Sequence, residues 1–212
     1  MMALPATQDL PLFPLQSVLF PGGLLGLRVF EARYMDLITH CLKTGDEFGV
    51  VLILCGSEIG RPSADADLAA VGCRAKVLDC DMHDAGLLHV RCRGGSRFVL
   101  RSHETVALGL QVGRVHAMDD DPKATLEARH TGAAFALGRA IAALDLQRQK
   151  PFLPPYRMDM PGWVANRWAE ILPIATEARQ RLMELPDGTQ RLDVVDRYLR
   201  QHGIVGESPP LQ

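Results

Sequence analysis

Along the first half of the chain, apolar residues come in short runs of strand length, each closed by glycine, proline or aspartate. Leu10–Leu15 predicts a strand, and its Pro11 and Pro14 confine it to an edge or an irregular position. Residues 1–9 before it read as a loose leader. Phe20-Pro21-Gly22-Gly23 predicts a tight turn, because Pro21 presets φ and the glycines tolerate positive φ. Leu24–Phe30 is the next strand. Glu31–Lys43 switches to helical spacing, with Tyr34, Leu37, Ile38, Cys41 and Leu42 on one stripe and Gly45 as the stop. Phe48–Cys55 is a continuous apolar run, expected to be a strand buried on both faces. Gly56–Asp67 is polar and predicts an exposed loop. Four further strands are expected at Val71–Met82, Leu87–Cys92, Phe98–Glu104 and Leu108–Met118. Their separators are Asp84-Ala85-Gly86, Gly94-Gly95 and a bend near Ala107. Short strands in this number, with a single early helix, point to a closed or nearly closed barrel.

At Asp119 the pattern changes to helical periodicity. Asp119-Asp120-Asp121-Pro122 predicts a helix start, since carboxylates complement the dipole and proline suits the first helical position. Leu126, His130, Ala133, Leu137, Ile141 and Leu144 would form one face of that helix. Lys150–Pro161 reads as a proline-rich link. Helices follow from Pro161, with Val164, Trp168, Ile171 and Leu172 on one side, and from Ile174 to Leu185. A last one carries Leu192, Val195 and Leu199, with Asp187 and Gln190 as a capping box. Trp163 and Trp168 cannot share a face, so one is expected buried and the other available to a partner. The tail after Gly203 is expected to fray. The expected organisation is thus a barrel over residues 1–118 and a helical bundle over 119–212, an α+β chain.

Composition narrows the function classes. The 212 residues are 47% hydrophobic and 23% charged, ordinary for a globular protein. The net charge of −2 offers no overall field for polyphosphate, which argues against nucleic acid as the main partner. The five cysteines form no C-x-x-C pair and read as buried free thiols of a reducing, cytoplasmic compartment. The first basic residue, Arg28, follows the N-terminal apolar stretch rather than preceding it, which argues against a signal peptide. No apolar run is long enough for a membrane span.

Several blocks, in order, carry a resemblance. They are Leu10–Tyr34 (LPLFPLQSVLFPGGLLGLRVFEARY), Val71-Gly-Cys-Arg-Ala75, Gly94-Gly-Ser-Arg-Phe98, Trp163–Arg167, Ala178–Leu185 (ARQRLMEL) and Arg191-Leu192. Together they resemble the N-terminal, substrate-binding domain of Lon proteases across most of the chain. The resemblance implies a PUA-like pseudo-β-barrel followed by an α-helical bundle, and recognition of substrate polypeptide. Neither the ATPase nor the protease module of Lon accompanies the blocks, so the expectation is a stand-alone, non-catalytic binding domain, an adaptor or holdase in protein quality control. The Gly56–Asp67 loop has no counterpart in the family pattern.

The residues agree with a non-enzyme. A phosphate cradle needs a Gly-Lys dipeptide, and the chain has none. No serine lies in a G-x-S-x-G elbow and no lysine sits in a Lon-like catalytic block. The seven histidines form no metal motif. Cys80-Asp81-Met82-His83-Asp84 has mixed ligand types but reads as a strand running into a hairpin, because neighbours in a strand point to opposite faces. His40-Cys41 closes the first helix, where the dipole raises rather than lowers a thiol pKa. No cofactor or metal is expected. Phe30 and Tyr34 are expected to fix the first helix in the core. By the family resemblance, Phe20, Arg28, Arg33, Tyr34 and Arg97 form a rim groove for an extended peptide. The rival readings are an RNA-binding PUA-like module, disfavoured by charge and the lack of a stacking block, and a small-molecule pocket at the barrel mouth.

Overall fold

Strand β1 (Gln8–Leu15) is buried on both faces from Leu10 onward: Leu10 and Leu12 enter one apolar cluster, Phe13 and Leu15 another. This follows from a period of two in a strand with partners on either side. Its first half pairs antiparallel with β7 (Gln111–Ala117), and its second half pairs parallel with β3 (Phe48–Cys55). Pro11 lies in the first stretch and Pro14 in the second, so each proline sits where the strand has one hydrogen-bonded neighbour and a missing N–H costs little. Gln8 and Asp9, expected in the leader, already belong to this strand. The structure, a computed structural model, describes residues 7–55, 67–84 and 86–206, with only the backbone of His83 and Asp84. All of the predicted Gly56–Asp67 loop except Asp67, the hairpin residue Ala85 and the last six residues of the tail lie outside the described residues.

The remaining strands are β2 (Leu24–Val29), the two-residue β4 (Asp67–Leu68), β5 (Val71–Asp84) and β6 (Leu87–Thr105). Pairing runs β1–β7–β6–β5–β3 and returns to β1, a ring interrupted by bulges in β5 and β6, while β2 joins from outside through β6. The result is a pseudo-barrel within an α+β fold. Helix α1 (Ala32–Thr44) packs Tyr34, Leu37, Ile38 and Cys41 into the cluster of Phe13, and Gly45 ends it in the left-handed region at φ 79°.

The pair Gly94-Gly95 is not a turn. It lies inside β6, a single strand of 19 residues where two were expected. A Cβ on Gly94 would stand 2.1 Å from the Phe20 carbonyl oxygen, and the Phe20–Gly23 turn hydrogen-bonds here: Gly22 N–H to Gly94 O (2.8 Å) and Gly94 N–H to Gly23 O (2.9 Å). The glycine is therefore required by a close backbone approach from far away in sequence.

The chain divides into two compact units, Met1–Asp120 and Asp121–Gln212. The second contains α2 (Thr131–Leu146), α3 (Pro161–Ile171), α4 (Thr176–Glu184) and α5 (Gly188–Gln201). Asp119–Pro122 starts no helix, and α2 begins only at Thr131. The reason lies in Asp121, whose carboxylate takes two hydrogen bonds from the buried guanidinium of Arg191 (2.8 and 3.0 Å) and so holds the chain out of helical geometry. Arg191 also donates to Asn166 Oδ1 and to the Leu182 and Leu185 carbonyls at the end of α4. Gly162 and Gly188 cross beside this pair: a Cβ on Gly188 would lie 2.6 Å from Gly162 Cα. Asp187 caps α5 by accepting from Thr189 and Gln190 N–H, as its spacing predicts. Trp168 is buried and donates to Ala133 O, whereas Trp163 is half-buried between Phe152 and Tyr156.

Candidate functional site

Among the described residues β2 pairs on one side only, with β6, in register from Leu24↔Arg93 to Val29↔Leu88. Its other edge borders a cleft of about 330 Å³ lined by every residue from Leu25 to Glu31, together with Phe13, Leu15, Ser17 and Tyr34. One face of a strand would contribute every second residue. An unbroken run of lining residues means the cleft follows the strand's edge, where no described strand pairs with the backbone N–H and C=O groups.

Another part of the wall is aromatic. Phe13 and Tyr34 stack with ring centroids 4.0 Å apart. Behind Tyr34 the Arg33 guanidinium lies 4.8 Å from its ring centroid, pairs with Glu31 and donates to Gly109 O (3.2 Å). Buried Arg33 thus ties Glu31, which lines the cleft, to the Tyr34 ring. Leu27 and Val29 point into the core, while Gly26, Arg28 and Phe30 face outward.

Of the five residues expected at a rim groove, the structure brings Arg28 and Tyr34 into this cleft, with Arg33 directly behind. Phe20 is fully buried at the Gly94 crossing, and buried Arg97 donates to Asp119 O (3.4 Å); neither lines it. Phe30, expected in the core, is 52% exposed, because it continues the outward set of Gly26 and Arg28. Phe13, Leu15 and Leu25 were not singled out from sequence. The signal for Leu25 is the doubled Leu24-Leu25 in a strand of otherwise weak alternation, and Phe13 and Leu15 carry no local signal that sets them apart from the rest of their strand.

Thiol chemistry is disfavoured at the buried Cys41 and Cys92. Burial, reinforced by Asp46, raises the pKa of Cys41, and burial pushes Cys92 up to about 12, so both stay protonated at neutral pH. His40 Nε2 lies 3.0 Å from Asp46 Oδ2 at the surface. All five cysteines are free: Cys41, Cys73 and Cys92 are buried, while Cys55 is exposed. In the helical unit, burial raises Glu170 to about 8 against the opposing pull of Arg167 (2.7 Å) and Arg179. Among the described residues no group of three or more His, Cys, Asp or Glu side chains is placed to hold a metal ion. No described helix is long and apolar enough to cross a membrane. A second concavity of about 320 Å³ lies between α4 and α5, walled by Ile174, Leu182, Leu185, Val194 and Tyr198 with Arg181 at its side.

A pseudo-barrel with an outrigger strand, together with five described α-helices, defines a fold class with solved representatives. The structure superposes on the crystal structure of a Lon N-terminal domain protein from Xanthomonas campestris with a TM-score of 0.73 and 35% identity, covering 90% of this chain and 98% of that one. The N-terminal domain of a Mycobacterium avium complex Lon protease shares the fold at a TM-score of 0.63 and 16% identity, over 92% of this chain and all of that one. The family model of the ATP-dependent protease La (LON) substrate-binding domain matches residues 9–201. The chain belongs to that family. Lon proteases of Paraburkholderia phytofirmans and Xanthomonas oryzae are 27% and 28% identical to it over 203 and 202 residues. Those stretches are 89% and 90% of this chain but 24% and 23% of the proteases, so it spans about a quarter of the curated relatives it matches.

Proposed function

We propose that this protein binds extended polypeptide without catalysing a reaction on it, by taking the segment as an added strand along the open edge of β2. The observation that carries the reading is the unpaired β2 edge running the length of an apolar, aromatic-walled cleft. Main-chain hydrogen bonds to such an edge give affinity without regard to sequence, and the cleft selects for an apolar side chain at alternate positions. Unfolded segments offer both, which suits an adaptor or holdase in cytoplasmic protein quality control. Membership of the Lon substrate-binding family supports polypeptide as the ligand. The absence from the sequence of a Gly-Lys phosphate cradle supports a binding role rather than nucleotide hydrolysis.

N-methylation scanning tests the geometry. An apolar nine-residue peptide is methylated at one backbone nitrogen at a time, and binding is read by fluorescence anisotropy. Strand addition predicts losses that alternate along the peptide, because every second N–H faces β2. A flat profile, or binding that survives simultaneous methylation of all alternate nitrogens in both registers, refutes it.

A further inference from the structure

The outward face of the small sheet formed by β5, β6 and β2 carries a charge pattern that the cleft alone does not use. Register places Lys76, Arg93 and Leu24 in one row across the three strands, Asp79, Arg91 and Gly26 in the next, and Asp81, His89 and Arg28 in the third. The alternate residues Val77, Cys80, Leu88, Val90, Cys92, Leu25 and Leu27 turn inward to the core, so the rows stand on the solvent side. Lys76, Arg91, Arg93 and Arg28 are exposed, and among the described residues none of the four is held by an ion pair or side-chain hydrogen bond. Among the described side chains the carboxylates on this face, Asp79 and Asp81, lie on β5, the strand farthest from the open β2 edge. Positive charge is therefore concentrated toward that edge although the whole chain has a net charge of −2.

Gly26 extends the reach of this charge. It is the outward residue of β2 in the Arg91 row, and a Cβ built on it would meet no heavy atom within 4 Å. Nothing on β2 stands between Arg91 and a strand laid beside the edge, about 5 Å further out. In the adjacent row Arg28 itself borders that strand. Outward positions on a strand recur every two residues, about 7 Å apart, which is also the repeat of these rows.

We infer that the polypeptide taken at the β2 edge is one in which acidic and apolar residues alternate. Two carboxylates spaced i and i+2 face Arg28 and the Gly26–Arg91 row, and the apolar residue between them enters the cleft beside Leu25, Leu27 and Tyr34. The inference rests on the strand-addition reading above and adds the class of segment. Charge complementarity at an edge with surplus guanidinium groups is its basis. The groups are solvent-exposed, so the selectivity is sensitive to salt.

The test compares three nine-residue peptides with the same alternate valines and with glutamate, threonine or lysine between them, binding to the full chain at about 50 mM and about 500 mM salt. The expected result at low salt is roughly tenfold tighter binding of the glutamate peptide than of the threonine peptide, weaker binding of the lysine peptide, and a gap that closes at high salt. R91S together with R93S should cut the glutamate peptide's advantage over the threonine peptide by at least half on a logarithmic scale, Arg28 still facing one of its carboxylates, and an undiminished advantage overturns the inference. Both positions are exposed, and circular dichroism checks that the variant is folded. Equal binding of the glutamate and threonine peptides by the unaltered protein overturns the inference while strand addition stands. Failure of all three to bind overturns both. If the basic face instead takes single-stranded RNA, and the glutamate peptide shows no preference, the face serves nucleic acid and the inference falls.

Discussion

Replacing Arg191 by methionine removes a guanidinium that is almost wholly buried and keeps most of the side chain's length. In the native unit every nitrogen is used: Nε by Leu182 O, Nη1 by Asp121 and Asn166, Nη2 by Asp121 and Leu185 O. Methionine would leave a carboxylate, a buried amide oxygen and two helix-end carbonyls without that donor. Stranding one partner of a buried ion pair costs about 3–5 kcal/mol. Each orphaned neutral acceptor costs about 1–3 kcal/mol, but these overlap with the first figure and do not add to it. Asp121 retains some contact with water, its side chain being 25% exposed, which draws the total toward the lower end, about 3–4 kcal/mol. That is a large share of the about 5–15 kcal/mol that holds a domain together. Both tryptophans, Trp163 and Trp168, lie in the helical unit, so intrinsic fluorescence during urea denaturation reports on that unit without labels. The expected result is a large fall in midpoint at unchanged slope. Arg191→Lys should lose most of the same stability, because one ammonium cannot reproduce a fork of donors spread over four acceptor groups. A loss under about 1 kcal/mol for the methionine variant would mean that desolvating the guanidinium cancels its bonds, and the keystone role argued for it would fail.

Tyr34→Ala should destabilise the first unit by about 3–5 kcal/mol, whereas Phe30→Ala should leave its melting temperature nearly unchanged and weaken peptide binding; equal melting losses would contradict the outward placement of Phe30. Gly94→Ala forces the Phe20–Gly23 turn away from β6 and should cost about 1–3 kcal/mol in thermal unfolding, with a neutral result refuting the close crossing. For Glu170, the folded unit holds the proton more tightly than the unfolded chain does: about 8 against an ordinary 4.5. Its contribution is therefore fully present below the ordinary value and is lost as pH rises toward 8. The stability difference between the native chain and Glu170→Gln, measured by urea titration at pH 5, 6.5 and 8, should shift in favour of the glutamine variant with rising pH. No pH dependence in that difference would refute the raised pKa.

Local pattern made much of the fold legible. Leu10–Leu15, Phe48–Cys55, the helix ending at Gly45 and the Asp187 cap were all readable, because each depends on neighbours in sequence. The misreadings share one cause. Gly94-Gly95 looks like a turn from its surroundings, and only the distant Phe20–Gly23 segment explains why it is not. Asp119-Asp-Asp-Pro122 looks like a helix start until Arg191 is seen to claim Asp121. The ARQRLMEL and Arg-Leu blocks marked the family, yet sequence alone did not show that Arg179 closes the end of α3 through the Ala169 and Leu172 carbonyls and that Arg191 does the same for α4. The candidate site was legible only in part for a related reason. Whether a strand keeps a free edge is decided by which strands do not reach it, and no property of Leu24–Val29 encodes that.

The two-partner pairing of β1 has a consequence for how the chain is made. Gln8 meets its partner Val115 about a hundred residues later, whereas Leu12–Leu15 can join β3 as soon as that strand emerges. During synthesis the first half of β1 waits, unpaired, until the final strand of the unit arrives. Long-range closure of this kind is slow, and its open intermediates present raw strand edges to one another. A fragment ending before Gln111 would have no β7 and could never close the ring. It would be expected to aggregate rather than to fold, so the first unit comes into being only when its last strand does.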